Sequence, residues 1–231
     1  MLVYVVRHAE SLSNVDASAG LNTGLSPLGE QQARALAARL GNVPLRAVYS
    51  SPFARCIVTA IPLAGRLDLP IRVRPDLCEH HHLPPGSQVD LGLGAMDRLA
   101  ERFTGVIACP DHPGPFSWVA GDESFAELVA RMRRFAAYLK ERWTGEDDAV
   151  VVVGHGSPIA RLIEAWIIDR PGPSFRFIID NCAVTALRYC GGVSSLVCLN
   201  EVSHLGGLAA PAAANYTAEG EIKPRPASNY W

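Results

Sequence analysis

The hydrophobic positions follow two patterns along the chain: short continuous apolar runs, and longer stretches with helical spacing between them. Short, mostly apolar runs predict strands, and a continuous run predicts a strand that is buried on both faces, as in a mainly parallel sheet. The valine run at 150–153 is the clearest case. The runs that predict strands are 2–6, 47–49, 149–153 and 184–189.

The best helical pattern covers residues 122–143. Asp122 is suited to cap its first turn and Gly145 follows its end. Apolar residues recur every three or four positions and form one apolar face, so we interpret this helix as core packing. The face comprises Phe125, Leu128, Val129, Met132, Phe135, Ala136 and Leu139.

Three further helix starts share the dipeptide Ser-Pro, at 26–27, 51–52 and 157–158. Serine can cap the free N–H groups of a helix, and proline fits the first turn because its missing N–H is not needed there. The last two dipeptides come just after predicted strands. Turns of this kind bring a helix N-terminus to the carboxyl edge of the sheet, which predicts an anion site.

Cationic side chains occupy the same strand ends. The first strand runs into Arg7 and His8, which mark either the point where the chain reaches solvent or a crevice at the end of the sheet. Arg55 lies in the opening turn of the second helix, and His155 lies between two glycines. If the strands are neighbours, these four side chains converge. Arginine forks bind phosphoryl oxygens and a neutral imidazole can carry the group, so we interpret the set as a phosphate pocket with a nucleophile.

These motifs, taken in order, resemble the histidine phosphatase superfamily, the phosphoglycerate-mutase-like group. The resemblance spans about residues 2–190. It implies an α/β fold, a three-layer sandwich with a central, mainly parallel sheet. It also implies a covalent phosphohistidine intermediate, with no metal and no other cofactor. The motifs that carry it are VVRHAES, Asn14, LSPLGEQQA, SSPFARCIVTA and GHG.

The resemblance implies roles for individual residues. His8 would be the nucleophile, and Arg7, Arg55 and His155 its phosphate-binding partners. Three further positions are assigned to substrate binding: the same match gives an asparagine near the phosphate and a small hydroxyl residue, and a glycine beside the second histidine lets the backbone come close. These positions are Asn14, Ser11 and Gly156.

The leaving oxygen also needs a proton donor. The family has an acidic residue after a strand-like segment past the second arginine, and here RPDLCEHHH offers Glu79, with Asp76 as its nearest competitor. Bound phosphate disfavours the anionic form of a nearby carboxyl group, so Glu79 would serve as general acid and then as base toward water. The alternative is a solvated loop glutamate.

Three consecutive histidines, 80–82, raise the alternative of a metal site. Consecutive residues do not share one face of a helix or strand, and a pocket rich in arginine repels a divalent cation, so we expect no metal there. The Pro/Gly-rich stretch 83–121 is typical of a lid or specificity loop. In the family that the chain resembles, this region caps the site, so the resemblance makes His80, His81, Arg98 and Arg102 candidates for substrate contact.

We therefore expect one histidine phosphatase-like domain at 1–204, with a cap or specificity insertion at about 80–121, and a C-terminal extension at 205–231. A formal net charge of −2 gives no reason to expect nucleic acid or an anionic membrane as partner. The expected partner is a small phosphorylated substrate, and a homodimer is compatible with these features.

The six cysteines include no CxxC pair and lie mostly in apolar surroundings, as free thiols in a reducing compartment do. The apolar run at the N-terminus is too short for a signal peptide, and no apolar stretch is long enough to span a membrane. We expect a cytoplasmic protein.

The predicted function is a hydrolase, a metal-independent phosphomonoesterase that acts through phosphohistidine on a small phosphorylated metabolite. One alternative is a mutase-type phosphotransferase. Mutases have Arg-His-Tyr-Gly after the acid, whereas Glu79 precedes HHHLPPG and no Arg or Lys occurs from Leu77 to Asp97. The other alternative is a catalytically weak phosphate-binding regulatory module, against which the complete set of site residues argues.

Overall fold

The structure is a computed structural model, and it describes residues 1–80, 89–90, 96–108, 119–120, 123–168 and 177–209. Among these, the strands are β1 (Leu2–Arg7), β2 (Ala47–Ser50), β3 (Ile71–Val73), β4 (Val89–Asp90), β5 (Val106–Ala108), β6 (Val119–Ala120), β7 (Ala149–Gly154), β8 (Val184–Cys190) and β9 (Val193–Glu201). The α-helices are α1 (Leu12–Val15), α2 (Pro27–Leu40), α3 (Ala54–Leu67), α4 (Met96–Arg102), α5 (Phe125–Arg142) and α6 (Gly156–Ile167).

Seven of the strands form one sheet, in the order β5-β3-β2-β7-β1-β8-β9, and β4 and β6 pair separately. The first five strands of the large sheet run parallel, and β8 and β9 are antiparallel to their neighbours. The strands predicted from apolar runs are all present within a residue or two at either end. This confirms the expected α/β class with a mainly parallel sheet.

Helices cover both faces of the sheet, because the inner strands are apolar on both sides. In β7, Val151 and Val153 face a core shared with α2 and α3, whereas Val150 and Val152 face a second core with α5 and α6. All four valines are completely buried. The expected three-layer sandwich is confirmed.

The Ser-Pro hypothesis is right for α2 and wrong for the other two helices. Ser26 is the N-cap of α2, and its Oγ accepts a hydrogen bond from the N–H of Gly29 at 3.0 Å. α3 begins at Ala54 with Phe53 as N-cap. A serine at 51 is therefore two residues too early to cap this helix, and its hydroxyl has a different partner, described below.

α6 begins two residues earlier than the Ser-Pro pattern predicts. His155 is its N-cap, and Ser157 already lies inside the first turn. The glycine at 156 is the first helical residue. As a result, the histidine itself stands at the junction between β7 and the helix.

The interpretation of α5 as a core-packing helix is largely confirmed, but the predicted start of the helix is not. Ser124 caps it, with Ser124 Oγ accepting from the N–H of Glu127 and the Glu127 carboxylate accepting from the N–H of Ser124. This reciprocal pair explains why the helix starts after 124; Asp122 lies outside the described residues. Phe125, predicted on the apolar face, is 54% exposed, whereas Leu128, Met132, Phe135, Ala136 and Leu139 are buried.

The segment after β9 packs on the body of the protein. Ser203–Leu208 form 3₁₀ turns, Leu205 is buried in the core beside α2, and Gln32 Nε2 donates to the carbonyl O of Leu208 at 2.8 Å. The division at 204/205 remains a prediction, since residues 210–231 lie outside the described part. Among the described residues, no helix combines the length and apolarity needed to cross a bilayer.

Candidate active site

Three neighbouring strands end side by side at one edge of the sheet. β1 and β2 both pair with β7 in parallel, one on each side. The carboxyl ends of parallel strands in an open sheet are where ligands bind. The first residues after β1, β2 and β7 are His8, Ser51 and His155, in that order.

The His8 imidazole is buried and held in one tautomer. Its Nδ1 lies 2.7 Å from the carbonyl O of Ala9, and because a carbonyl only accepts, Nδ1 carries the proton. Its Nε2 accepts from Arg55 Nε at 3.2 Å. Burial, followed by the charges of Arg55 and Arg7, holds the pKa of His8 well below its ordinary value. The ring is therefore neutral with its lone pair on Nε2, the state that nucleophilic attack requires.

The backbone around His8 is fixed by three long-range hydrogen bonds. The His8 N–H donates to the carbonyl of Gly154 at 2.9 Å, and the His8 carbonyl accepts from Asn181 Nδ2 at 2.8 Å. The N–H of Ala9 donates to Thr59 Oγ1, also at 2.9 Å. Segments far apart in the sequence thus define the position of the imidazole.

Arg55 connects the two histidines. It lies in the first turn of α3, where Nε reaches His8, one terminal nitrogen reaches His155 Nδ1 at 3.2 Å, and the other donates to the carbonyl of Leu21 at 2.7 Å. The guanidinium carbon lies 4.5 Å from the centroid of the Phe53 ring. Burial lowers the pKa of Arg55, but an arginine remains charged in a protein.

His155 is completely buried and its tautomer follows from its partners. A guanidinium only donates, so Nδ1 accepts from Arg55, and Nε2 carries the proton and donates to Ser51 Oγ at 2.8 Å. The rings of His8 and His155 lie 5.3 Å apart, edge to face. The sequence analysis missed Ser51 as a site residue; its position directly after an inner strand is the signal that could have found it.

The structure brings Glu79 to this pocket and keeps Asp76 out of it. Glu79 Oε2 lies 3.6 Å from His155 Nδ1, while Oε1 accepts from the N–H of His80 at 3.0 Å. Asp76 Oδ2 instead accepts from Arg74 Nε and a terminal Arg74 nitrogen at 2.9 and 2.6 Å. Of the two acidic candidates, Glu79 is the one that reaches a histidine of the pocket.

Arg7 and the start of α6 lie together beside the histidines. Arg7 donates to the carbonyl of Ile179 at 2.7 Å, and a Cβ placed on Gly156 would lie 3.9 Å from Arg7 Nε. That is an ordinary contact, so the described neighbours do not require glycine at 156. The first N–H groups of a helix have no partner within it and carry partial positive charge, so this corner can bind an anion.

Ser11 and Asn14 shape the turn after β1. Ser11 is buried, its N–H donates to Asn14 Oδ1 at 3.0 Å, and its hydroxyl lies 3.0 Å from that of Ser13. Asn14 Oδ1 also lies 3.4 Å from the Nδ2 of Asn181, the residue that donates to the His8 carbonyl. Asn181, which matches no motif and was not predicted from the sequence, thus links Asn14 to the backbone of His8.

The polyhistidine stretch has only its first residue in the described part. His80 Nε2 donates to the carbonyl of Glu123 at 2.8 Å. His81, His82 and the side chain of Arg98 lie outside the described residues. Arg102 is exposed, with its guanidinium carbon 5.1 Å from the centroid of the Phe103 ring. Within the described segments, no group of three or more His, Cys, Asp or Glu residues could hold a metal ion.

Comparison with known proteins agrees with this geometry. Residues 3–202 match the family model for the histidine phosphatase superfamily, branch 1. Phosphoserine phosphatase 1 from Hydrogenobacter thermophilus is 30% identical, with 87% of this chain and 93% of that protein covered. Glucosyl-3-phosphoglycerate phosphatase from Mycobacterium tuberculosis is 32% identical over 71% of this chain and 74% of that protein.

A solved structure extends the comparison to the fold. The mycobacterial glucosyl-3-phosphoglycerate phosphatase complexed with VO₃ has a TM-score of 0.62 and 27% identity, with 87% of this chain and 99% of that chain covered. The match to the family model covers most of the chain, and the Hydrogenobacter and mycobacterial relatives are both phosphatases. The chain is therefore a phosphatase, a phosphoric monoester hydrolase, and it belongs to the histidine phosphatase superfamily, branch 1.

Proposed function

We propose that the protein removes the phosphoryl group from a small phosphorylated metabolite in two steps, through a phosphohistidine at His8 Nε2. The observation that carries this proposal is the tautomer of His8: Nδ1–H is committed to the Ala9 carbonyl, and the lone pair of Nε2 faces Arg55. A neutral imidazole beside a guanidinium combines a nucleophile with a group that binds the phosphoryl oxygens.

In the first step, Nε2 of His8 forms a bond to phosphorus while the bond from phosphorus to the leaving oxygen breaks. Glu79 gives its proton to that oxygen. In the second step, Glu79 takes a proton from water, the water oxygen bonds to phosphorus, and the phosphorus–nitrogen bond breaks. Arg7 and Arg55 hold the phosphoryl oxygens throughout, and His155 donates to them once its Nδ1 is also protonated; such pre-positioned charges act most strongly on the transition state.

Three further residues complete the proposed substrate site. The N–H of Gly156, at the start of α6, is proposed to donate to a phosphoryl oxygen, supported by its position beside Arg7. Ser11 and Asn14 are proposed to lie at the edge of the phosphate site, supported by the link from Asn14 through Asn181 to His8. None of these groups needs a metal ion, and we propose metal-independent turnover.

We propose water as the usual acceptor and a substrate whose leaving part carries less negative charge than phosphoglycerate. The support is the lack of Arg and Lys from Leu77 to Asp97, next to the proposed acid. Phosphoserine, the substrate in the name of the Hydrogenobacter relative, is the first substrate to test. With 3-phosphoglycerate and a bisphosphoglycerate primer, phosphate release without isomerisation supports this proposal; isomerisation faster than release contradicts it.

A cytoplasmic location is proposed from the thiols. Cys56, Cys78, Cys182, Cys190 and Cys198 are all free. Unpaired cysteines are the usual state in a reducing compartment.

The decisive experiment traps the intermediate. The protein is mixed with p-nitrophenyl phosphate in EDTA, quenched without acid and analysed by peptide mass spectrometry. We expect phosphate on His8 and none in the His8→Ala variant, which also loses turnover. Phosphate on a serine or on His155 contradicts the proposed nucleophile. Phosphate binding without hydrolysis from pH 4 to 8 would instead indicate a phosphate-binding module.

A further inference from the structure

Arg131 lies on α5, the helix that the sequence identifies only with core packing, yet its guanidinium makes four hydrogen bonds. Nε and one terminal nitrogen donate to the two carboxylate oxygens of Glu123 at 2.7 and 2.6 Å. The other terminal nitrogen donates to the carbonyls of Asp76 and Cys78, the latter at 3.0 Å. The side chain is only 14% exposed.

The two carbonyls belong to the segment that carries Glu79. Asp76 lies in the short 3₁₀ turn Pro75–Leu77, and Cys78 is the residue directly before Glu79. A backbone carbonyl that accepts from a buried guanidinium is held more firmly than one that faces water, because charged donors make stronger hydrogen bonds. Arg131 therefore fixes the chain on the N-terminal side of the carboxyl group.

Glu123, the ion-pair partner of Arg131, fixes the other side. Its backbone carbonyl accepts from His80 Nε2 at 2.8 Å. The N–H of His80 in turn donates to Glu79 Oε1, which leaves Oε2 directed at His155 Nδ1, 3.6 Å away. The Arg131–Glu123 pair thus fixes the positions of the residues on both sides of Glu79.

We propose that Arg131 is a positioning residue for catalysis: it does not touch the substrate, but it holds the carboxyl group of Glu79 where a proton can be given to the leaving oxygen. This inference rests on the proposed function, in which Glu79 is the general acid. Proton transfer requires the acid within hydrogen-bond reach of the leaving oxygen, so a small displacement of this loop slows the step.

The site favours arginine over lysine. Four acceptors lie around one side chain, and only a planar fork with five N–H groups reaches two carboxylate oxygens and two carbonyls at once. Burial lowers the pKa of Arg131, but the Glu123 carboxylate more than offsets this effect, and the pKa stands above its ordinary value. The cation is thus retained despite its burial.

The test is the Arg131→Lys variant assayed with two substrates, an alkyl phosphate such as phosphoserine and p-nitrophenyl phosphate. Alkoxide leaving groups need a proton and nitrophenolate does not. We expect kcat/KM to fall about 10- to 100-fold with the alkyl phosphate and less than about threefold with the aryl phosphate. The ratio of the two rates comes from one preparation, so it does not depend on the fraction of folded protein.

A double-variant cycle separates positioning from general packing. In the Glu79→Gln background, the acid is already absent, so Arg131→Lys should change the substrate ratio by less than about twofold. Equal losses on both substrates in the single variant, or effects that multiply in the double variant, would overturn the proposal. Arg134→Lys, an exposed arginine on the same helix, is the matched control and should leave both rates unchanged.

Two further measurements separate the role of Arg131 from misfolding of the variant and from the proposed function. If Arg131→Lys does not fold, Glu123→Gln removes the carboxylate that orients the guanidinium and should lower the same ratio by a smaller factor. Peptide mass spectrometry after reaction of wild type with p-nitrophenyl phosphate tests the proposed function separately. Phosphohistidine at His8 together with an unchanged ratio in Arg131→Lys would refute only the role of Arg131.

Discussion

At the scale of single residues, Ser51 gives the imidazole of His155 its orientation. The Ser51 hydroxyl and the whole His155 side chain are buried, so water does not compete for the hydrogen bond between them. With Nε2 occupied, the Nδ1 atom of His155 is directed at Arg55 and Glu79. A serine in the turn after β2 thus controls which nitrogen of His155 faces Arg55 and Glu79.

Replacing Ser51 by alanine should lower kcat/KM about 10- to 100-fold, as the loss of the partner that orients a metal-binding histidine does. Ser50→Ala is the control, because Ser50 is also buried but its hydroxyl donates to the carbonyl of Ser51. Steady-state rates and phosphohistidine formation would be measured for both. A variant without Ser51 that keeps full phosphorylation rates would show that the hydrogen bond is dispensable.

Local sequence predicts a site residue only where its position on a single strand or helix determines that it lies in the site. Arg7, His8, Arg55 and His155 follow strand ends or open a helix, and the structure brings them together as expected. Asn181 contacts His8, which is 173 positions away in the sequence. Arg131 contacts Asp76 and Cys78, which are 55 and 53 positions away. Such contacts follow from the packing of whole elements, which the residue types alone do not specify.

At the scale of elements, the N-terminus of α2 holds the loop that follows β1. The N–H of Ser26 donates to the carbonyl of Glu10 at 3.0 Å, and Glu10 N–H donates to Gln32 Oε1 at 2.8 Å. Gly29 lies against this loop so closely that a Cβ on it would stand 1.9 Å from the Glu10 carbonyl oxygen. The glycine and the second glutamine of LSPLGEQQA are therefore packing residues of the active-site loop.

A Gly29→Ala substitution should cost about 1–3 kcal/mol in the free energy of unfolding, because a backbone carbonyl must move to admit the methyl group. Activity should fall as well, since the displaced loop begins at His8. Gly65→Ala in α3 is the matched control: nothing lies within 4 Å of its added Cβ, and the better helix former should stabilise by about 0.5–1 kcal/mol. Urea unfolding of both variants checks this; equal stability would refute the close approach.

The observed starts of α2 and α3 show why a capping pattern alone does not locate the first residue of a helix. A Ser-Pro pair predicts α2 correctly because the Ser26 hydroxyl bonds its own helix and the Glu10 carboxylate. After β2, the serine of the same dipeptide, Ser51, lies beside His155, which follows β7. Its hydroxyl accepts from the His155 ring instead of capping α3. Functional contacts of this kind shift a helix start by two residues without changing the existence of the helix.

At the scale of the whole molecule, the alternation of strands and helices is enough to predict the sheet and its two covered faces. The edge strands are harder. β9 carries exposed apolar side chains such as Val193 and Val197, and a strand with little burial on either face gives no clear periodic signal. β5, the other edge strand, and its neighbour β3 have only three residues each, too few for a pattern to separate them from loops.

The whole fold also couples its stability to pH through two histidines whose pKa is lowered. Burial lowers the pKa of His8 and of His204, in the latter case against the opposing influence of Glu201. In the unfolded chain both titrate near the ordinary value of about 6.5. Below that pH the unfolded state binds more protons than the folded state, so the free energy of unfolding decreases as the pH falls.

We therefore expect urea unfolding to show a nearly constant free energy above about pH 7 and a loss below about pH 6.5, of up to about 1.4 kcal/mol per pH unit for each histidine. The carboxyl groups with lowered pKa, those of Asp16, Glu127 and Glu201, add a loss in the same direction only in more acidic solution, as the pH falls through the ordinary Asp and Glu range. The His8→Ala variant should lose part of the slope between about pH 6.5 and 5.5, because one of the two imidazoles with lowered pKa is gone. A wild-type free energy that stays flat across this interval, or rises toward acid, would mean that the two rings are protonated within the folded protein.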